Sequence, residues 1–347
     1  MRKFRITTLV AMVLALALAS FSVVSAQDGD VLDDILDRGF VNCGVSGGLA
    51  GFSIQDDEGQ WSGLDVDFCR ALAIAIFGEA SDDTLRIIPL TADVRFTALQ
   101  AGEVDVLHRN TTWTLTRDVT LGSDFGPTTF YDGQGLLARL EDGFTSLADM
   151  EGAAFCSTSG TTTEKNITDA YRAIFGEDPV LVLGPGPQEN LADFEAGACD
   201  VLTSDKSQLA ALRATSANPA AYAVLPDTLS KEPLGPMYLE NNSALADIVN
   251  WSVFATFTAE ELGITSENIG EFMDSDDVNV QRFLGLTEEG FGEAMGISNS
   301  FAADIIAAVG SYAEIYERNV VPLGIAREGS LNALWLDGGL LYPPAWR

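Results

Sequence analysis

The sequence predicts an α/β protein of two similar lobes, each built on a parallel-rich sheet flanked by helices. Two β-α-β-α-β runs and one internal repeat carry that prediction. Ala101-Gly102-Glu103-Val104-Asp105-Val106-Leu107 returns as Ala196-Gly197-Ala198-Cys199-Asp200-Val201-Leu202. Each copy follows a short helical pattern and leads into an apolar run that reads as a buried strand. Gly102 and Gly197 stand where a helix end takes a left-handed residue.

Taken in order, the chain opens with a secretory signal. Arg2, Lys3 and Arg5 give a basic start, an apolar run extends from about Leu9 to Val24, and Val24-Ser25-Ala26 is a small-residue cleavage site. Residues 1–26 are expected to be removed, leaving a mature chain from about Gln27 in the periplasm or outside the cell. Residues 27–136 form the first segment of one lobe. There a strand at Phe40–Val45 is followed by a helix at Asp65–Phe77, with Val66, Cys69, Ala73 and Ile76 in one stripe and Gly78 as its stop. A strand at Arg86–Leu90, a helix at Asp93–Ala101 and a strand at Val104–His108 complete that run.

Residues 137–228 form the second lobe. Strand Gly152–Cys156 leads into a helix at Thr162–Phe175, whose start carries the Thr161-x-x-Glu164 capping box. Strand Val180–Leu183, a helix near Gln188–Ala196 and strand Cys199–Thr203 follow. The rest, residues 229–347, is mostly helical and too long for one closing helix. It is assigned to the first lobe as its completion and a C-terminal extension.

Composition narrows the function. A 47 % hydrophobic content fits a packed globular protein, and a net charge of −32 repels nucleic acid and anionic lipid. Cys43, Cys69, Cys156 and Cys199 allow three pairings in an oxidising compartment. The order of elements favours Cys43–Cys69, because the Cys69 stripe faces the sheet holding Cys43. It also favours Cys156–Cys199, because first and third strands of such a sheet are commonly neighbours. No C-x-x-C occurs and His108 is the only histidine, so neither a metal site nor a cofactor is expected.

Polar residues gather at the C-terminal ends of the predicted strands, where open α/β sheets bind ligands. Asn110, Thr111, Thr112 and Arg117 follow the strand ending at His108; Gly160-Thr161 follows Cys156; Asp205 follows Thr203. A guanidinium, helix N-terminal amides and hydroxyls suit a carboxylate, and one carboxylate suits an ammonium. Together they complement an α-amino-acid head group.

The same stretches resemble the polar amino-acid family of ABC-transporter solute-binding proteins, closest to its general L-amino-acid-binding branch. The likeness runs through Gly63-Leu64-Asp65-Val66-Asp67-Phe68, Arg109-Asn110-Thr111-Thr112-Trp113-Thr114, Ser159-Gly160-Thr161-Thr162-Thr163-Glu164 and Lys231-Glu232-Pro233-Leu234-Gly235-Pro236. It continues into Glu317-Arg318-Asn319 and Leu331-Asn332-Ala333-Leu334-Trp335. The resemblance implies a two-lobed periplasmic-binding-protein-like fold of type II with the ligand in the inter-lobe cleft. It implies that Arg117, with the amides of Thr112 and Thr161, holds the α-carboxylate. Asp205, the Thr112 hydroxyl and the Asn110 carbonyl would take the α-ammonium. Free L-amino acids and the membrane permease subunits of an ABC importer are the implied partners of a monomeric receptor. Ser46, Leu49 and Ala92 replace the acid and the aromatics that basic-selective members carry, which implies a wide side-chain pocket walled by Trp113, Phe52 or Phe130. His108 reads as a packing residue. A sensor subunit, or a dehydratase or lyase on the same scaffold, is the rival reading; the enzyme would need a Glu acid/base in the cleft, where Asp205 stands.

Overall fold

The computed structural model describes residues 31–347, so the expected secretory signal lies outside the described residues. The first sheet holds β1 (Val41–Val45), β4 (Leu85–Pro89), β5 (Val106–Leu107), β6 (Ser123–Phe125) and β13 (Met237–Leu239), in the order β4-β1-β5-β13-β6. The second holds β7 (Phe130–Arg139), β8 (Ala154–Thr158), β9 (Val180–Gly184), β10 (Val201–Asp205) and β11 (Tyr222–Val224), in the order β11-β7-β10-β8-β9. In each sheet the first strand of the β-α-β-α-β run lies between the second and the third, all parallel. A small hairpin, β2 (Ile54–Gln55) and β3 (Trp61–Ser62), projects before α2 (Leu64–Phe77).

The repeat has a physical basis beyond its pattern. Gly102 and Gly197 take φ of +70° and +77° to end their helices, α3 (Arg95–Gln100) and α6 (Pro187–Glu195). Three residues on, Asp105 accepts a hydrogen bond from the Asn42 amide (2.7 Å), and Asp200 accepts one from the Ala154 amide (2.8 Å). In both lobes the acid ties the entry of the third strand to the first. Arg38, at the end of α1 (Val31–Arg38), pairs with Asp105 as well.

The two sheets are linked by two antiparallel strands. The start of β7 pairs with β12 (Lys231–Leu234), Phe130 opposite Leu234, while its remainder pairs with β10 and β11. One strand therefore belongs to the crossing at one end and to the second sheet at the other.

After β13 the chain is helical: α8 (Ser243–Glu261), α9 (Ile269–Phe272), α10 (Val278–Phe283), α11 (Phe291–Ala294), α12 (Phe301–Val309) and α13 (Tyr312–Asn319). Of these, α8, α12 and α13 pack on α2, and Phe68 and Leu72 share one buried core with Phe257, Ile305 and Tyr312. Burying each large side chain contributes about 1.5–3 kcal/mol. A polar latch lies over that core: Asp67 accepts from Arg318 Nε (3.0 Å), Arg318 Nη2 (2.8 Å) and Asn319 Nδ2 (2.7 Å). Further on, Asn332 brackets Tyr131 of β7, accepting from its amide (2.7 Å) and donating to its carbonyl (3.0 Å). The tail is anchored by Trp346, whose indole packs on Trp251, Phe283 and Phe301 and donates to Thr258 (2.9 Å).

Cys43 is bonded to Cys69 and Cys156 to Cys199, each pair inside one sheet-and-helix layer. Several expected bounds shift. The third strands begin later than read, at Val106 and Val201, because the residues after each glycine form a turn closed by the aspartate. β10 consequently ends on Asp205 instead of stopping before it.

Candidate functional site

All five residues expected to touch a ligand line one narrow cleft between the two sheets, of about 40 Å³: Asn110, Thr112, Arg117, Thr161 and Asp205. From the first sheet, β5 delivers the segment 108–112 to the cleft edge. Thr114 then caps α4 (Leu115–Thr120), accepting from the Arg117 amide (3.2 Å), which sets Arg117 in the first turn. Its guanidinium folds back, donating from Nη1 to the Thr112 carbonyl (2.8 Å) and lying 5.1 Å from the Phe96 ring centroid. Arg117 is 8 % exposed and has no carboxylate partner among the described residues. Burial lowers its pKa, opposed by Glu232 and Asp205.

From the second sheet come two chain ends. Beyond β8, Gly160 (φ +74°) turns the chain so that Thr161 caps α5 (Thr162–Phe175), accepting from the Glu164 amide (3.3 Å). The leading amides of such a helix have no partners inside it. The expected capping box is altered in one respect. Glu164 reaches past the cap and accepts from the Gly160 amide (2.9 Å), because the left-handed glycine presents that amide to it. Asp205 ends β10 and is 6 % exposed. Burial pushes its pKa well up, Asp132 and Glu232 push it further, and Arg117 and Arg95 oppose them.

Asn110 adopts φ +31°, and its amide donates to Asp65 (3.0 Å) while its side chain reaches Gln208 across the cleft (3.4 Å). Thr112 and Thr162 meet across the same gap at 3.4 Å, and Gln188 donates to the Gly48 carbonyl (3.3 Å). The lobes thus touch around the cleft.

Other expectations change. Leu49 does not face the ligand; a bridge to Ser53 turns it into the core beside Phe52 and Phe130, whose rings pack edge-on at 5.3 Å. Trp113 stacks on Phe125 at 5.7 Å and is absent from the cleft lining. Among the described residues no aromatic lines the cleft, so the expected apolar wall is replaced largely by polar side chains. His108 is buried against Phe68, and burial lowers its pKa to about 3, so it is a neutral packing group. Arg95, Arg109 and Gln208 also line the cleft and were not singled out by the sequence. Arg109 donates from Nε to the Leu90 carbonyl (2.9 Å), and Asp65 is its nearby acid. Glu232, on the crossing strand β12, accepts from Thr162 (3.0 Å) and Asn166 (2.8 Å) beneath the site.

Residues 41–319 match the family of bacterial extracellular solute-binding proteins, family 3. The chain belongs to that family. Among its relatives, the general L-amino acid-binding periplasmic protein AapJ of Rhizobium johnstonii is 45 % identical over 93 % of this chain and 94 % of its own. The glutamate/glutamine/aspartate/asparagine-binding protein BztA of Rhodobacter capsulatus is 42 % identical over 96 % and 98 %. Among solved structures, an ABC transporter periplasmic binding protein from Brucella ovis with glutathione bound superposes with a TM-score of 0.87. It is 43 % identical and covers 92 % of this chain and all of its own. These family members fix the two-lobed type II fold. No helix among the described residues is long and apolar enough to cross a membrane.

Proposed function

We propose that this chain is an extracytoplasmic receptor that captures free L-amino acids by their head group and delivers them to the membrane subunits of an ABC importer. The observation that carries the reading is Arg117 and Asp205: a buried guanidinium on the helix α4 and a buried carboxyl at the end of β10, lining one cleft from opposite sides. A zwitterion placed between them supplies each with its counter-charge. Arg117 grips the α-carboxylate in a fork, with the amides of Thr112 and Thr161 sharing it. Asp205, the Thr112 hydroxyl and the Asn110 carbonyl take the α-ammonium. Residues 27–136 with 229–347 would form one lobe and 137–228 the other. Closure about the crossing strands β7 and β12 then forms bonds that an open cleft cannot.

Two other uses of the same cleft make different demands. A sensor subunit binds the same ligand but docks to a receptor, so loss of the importer's membrane subunits would leave its signal intact. An enzyme returns an altered molecule. The experiment is mass spectrometry of small molecules released on denaturing the purified protein, repeated after incubation with the one recovered. Recovery of an unaltered L-amino acid supports capture. Recovery of a sugar or a nucleoside overturns it, and conversion of the bound molecule favours the enzyme.

A further inference from the structure

A second cavity, of about 310 Å³, shares no lining residue with the amino-acid cleft. The start of β7 gives it Phe130, Tyr131 and Asp132, and α7 (Lys206–Thr215), which follows β10, gives it Lys206. The C-terminal half supplies Tyr316 of α13 and the exposed Leu331. Two polar groups in these walls are unanswered. Tyr316 is fully buried, yet its hydroxyl has no hydrogen-bond partner, and leaving such a group unpaired is costly. Asp132 accepts from the amides of Gly133 (2.8 Å) and Ser207 (3.2 Å) but has no ion-pair partner among the described residues. It stands opposite Glu232 on the paired strands β7 and β12, like charge facing like. Burial pushes its pKa up to about 6, and Glu232 adds to the push. Lys206 does not answer it, because its ammonium is bonded to the Pro226 carbonyl (3.0 Å) and the Thr228 hydroxyl (2.7 Å).

A carboxylate without a cation, set beside aromatic rings, suits an ammonium group on a short apolar chain. The carboxylate takes a charge-assisted hydrogen bond, and the Tyr316 oxygen can accept another N–H. Phe130 and Tyr316 stack at 6.0 Å into one wall, against which an alkyl chain loses its contact with water. An anion would meet Asp132, and a neutral molecule would leave it unanswered. No cluster of acids among the described residues is arranged to hold a metal ion, so the cation that fits is organic.

We infer that this cavity is a second ligand site, which takes a small alkylammonium ion on Asp132 and Tyr316. Its walls come from β7, α7 and the C-terminal half, so it keeps its shape only while these stay in their present arrangement. In that arrangement the lobes touch around the cleft. An occupant therefore favours closure and tightens the grip on the amino acid. The site stands apart from the head-group reading; only this coupling rests on it.

The test is calorimetry of the full mature chain with n-propylammonium chloride, n-propanol and propionate, at an ionic strength held constant with KCl. The ammonium ion should bind with a Kd of about 1 mM or tighter, and the other two at least about 10-fold more weakly. Asp132→Asn should weaken it about 10- to 100-fold, the range for losing a charge-assisted hydrogen bond. Leu331→Trp, at an exposed position, should fill the cavity and abolish ammonium binding while L-glutamate still binds. Saturating propylammonium should lower the glutamate Kd at least about 5-fold, and glutamate should tighten the ammonium ion by the same factor. No binding of the ammonium ion, equal binding of propanol, or binding that survives in Leu331→Trp overturns the site. A glutamate Kd that ignores the ammonium ion overturns the coupling. Absence of glutamate binding overturns the head-group reading and the coupling with it, while loss of ammonium binding in Leu331→Trp still upholds the site.

Discussion

Replacing Arg117 by alanine is the sharpest perturbation of the clamp, and its size follows from the geometry. The guanidinium is nearly buried and pairs with no carboxylate among the described residues, so its capacity for an anion is unspent. Removing one partner of a buried, hydrogen-bonded ion pair costs about 3–5 kcal/mol. Taking about 4 kcal/mol, the Kd for any L-amino acid should rise roughly a thousand-fold. A second contribution has the same sign. Arg117 opposes the upward push on the Asp205 pKa, so its loss leaves Asp205 more protonated and weakens the hold on the ammonium. The unliganded protein should suffer little. It loses a bond to the Thr112 carbonyl and a contact with Phe96, each worth about 1 kcal/mol, against relief from a buried charge. Calorimetry gives the Kd and a thermal melt without ligand gives the stability. A folded variant whose Kd stays within about three-fold of the parent would refute the reasoning.

Four further outcomes follow. Ligand affinity should climb with pH through the acid range, with proton release on binding, because burial raises the Asp205 pKa and an ammonium partner selects its ionised form; calorimetry in buffers of different ionisation enthalpy measures this, and a pH-independent affinity contradicts it. Burial raises the Asp65 pKa to about 7, so the folded state binds that proton more tightly than the unfolded chain, and stability should fall as pH rises from the ordinary value of 3.8 towards 7. Asp65→Asn should flatten that slope in thermal melts. Opening Cys43–Cys69 or Cys156–Cys199, which close separations of 26 and 43 residues, should cost about 3.5 and about 4 kcal/mol on loop entropy alone; denaturant midpoints of the Cys→Ser pairs check this, and a loss below about 1 kcal/mol would sink it. Arg318→Ala should destabilise by about 1–2 kcal/mol, because Asp67 keeps Arg70 and Asn319 and the arginine itself is partly exposed; no change in the midpoint would show the latch to be idle.

Much of this was legible in the residues because the relevant physics is local. The glycine–aspartate repeat stands out since the same two jobs, ending a helix and tying down a strand, recur at fixed spacing in both lobes. The five proposed clamp residues were visible because Asn110, Thr112, Thr161 and Asp205 lie at or within five positions of a strand end, with Arg117 in the first turn of the helix that follows β5. Arg95 was not, since its short helix reads only as Phe96 and Leu99 facing inward, and nothing nearby marks the preceding residue as turned to a cleft. Leu49 was misplaced because a single bridge to Ser53 reverses the loop, which no alternation in the sequence reveals. Glu232 and Asn332 act on partners far along the chain, so their roles appear only once β7 and β12 are paired.

The head-group clamp is the claim on which the rest depends, and one panel tests it directly. Thermal melts of the purified mature protein should be run with free L-glutamate, its α-methyl ester and its N-acetyl derivative at equal concentration. A ligand that binds only the folded state raises the melting temperature, and at equal concentration a tighter ligand raises it further. The free amino acid should raise it, and both blocked forms should leave it unmoved, because each removes a charge and leaves Arg117 or Asp205 unanswered in a closed cleft. Stabilisation by either blocked form equal to that of the free amino acid would contradict the clamp.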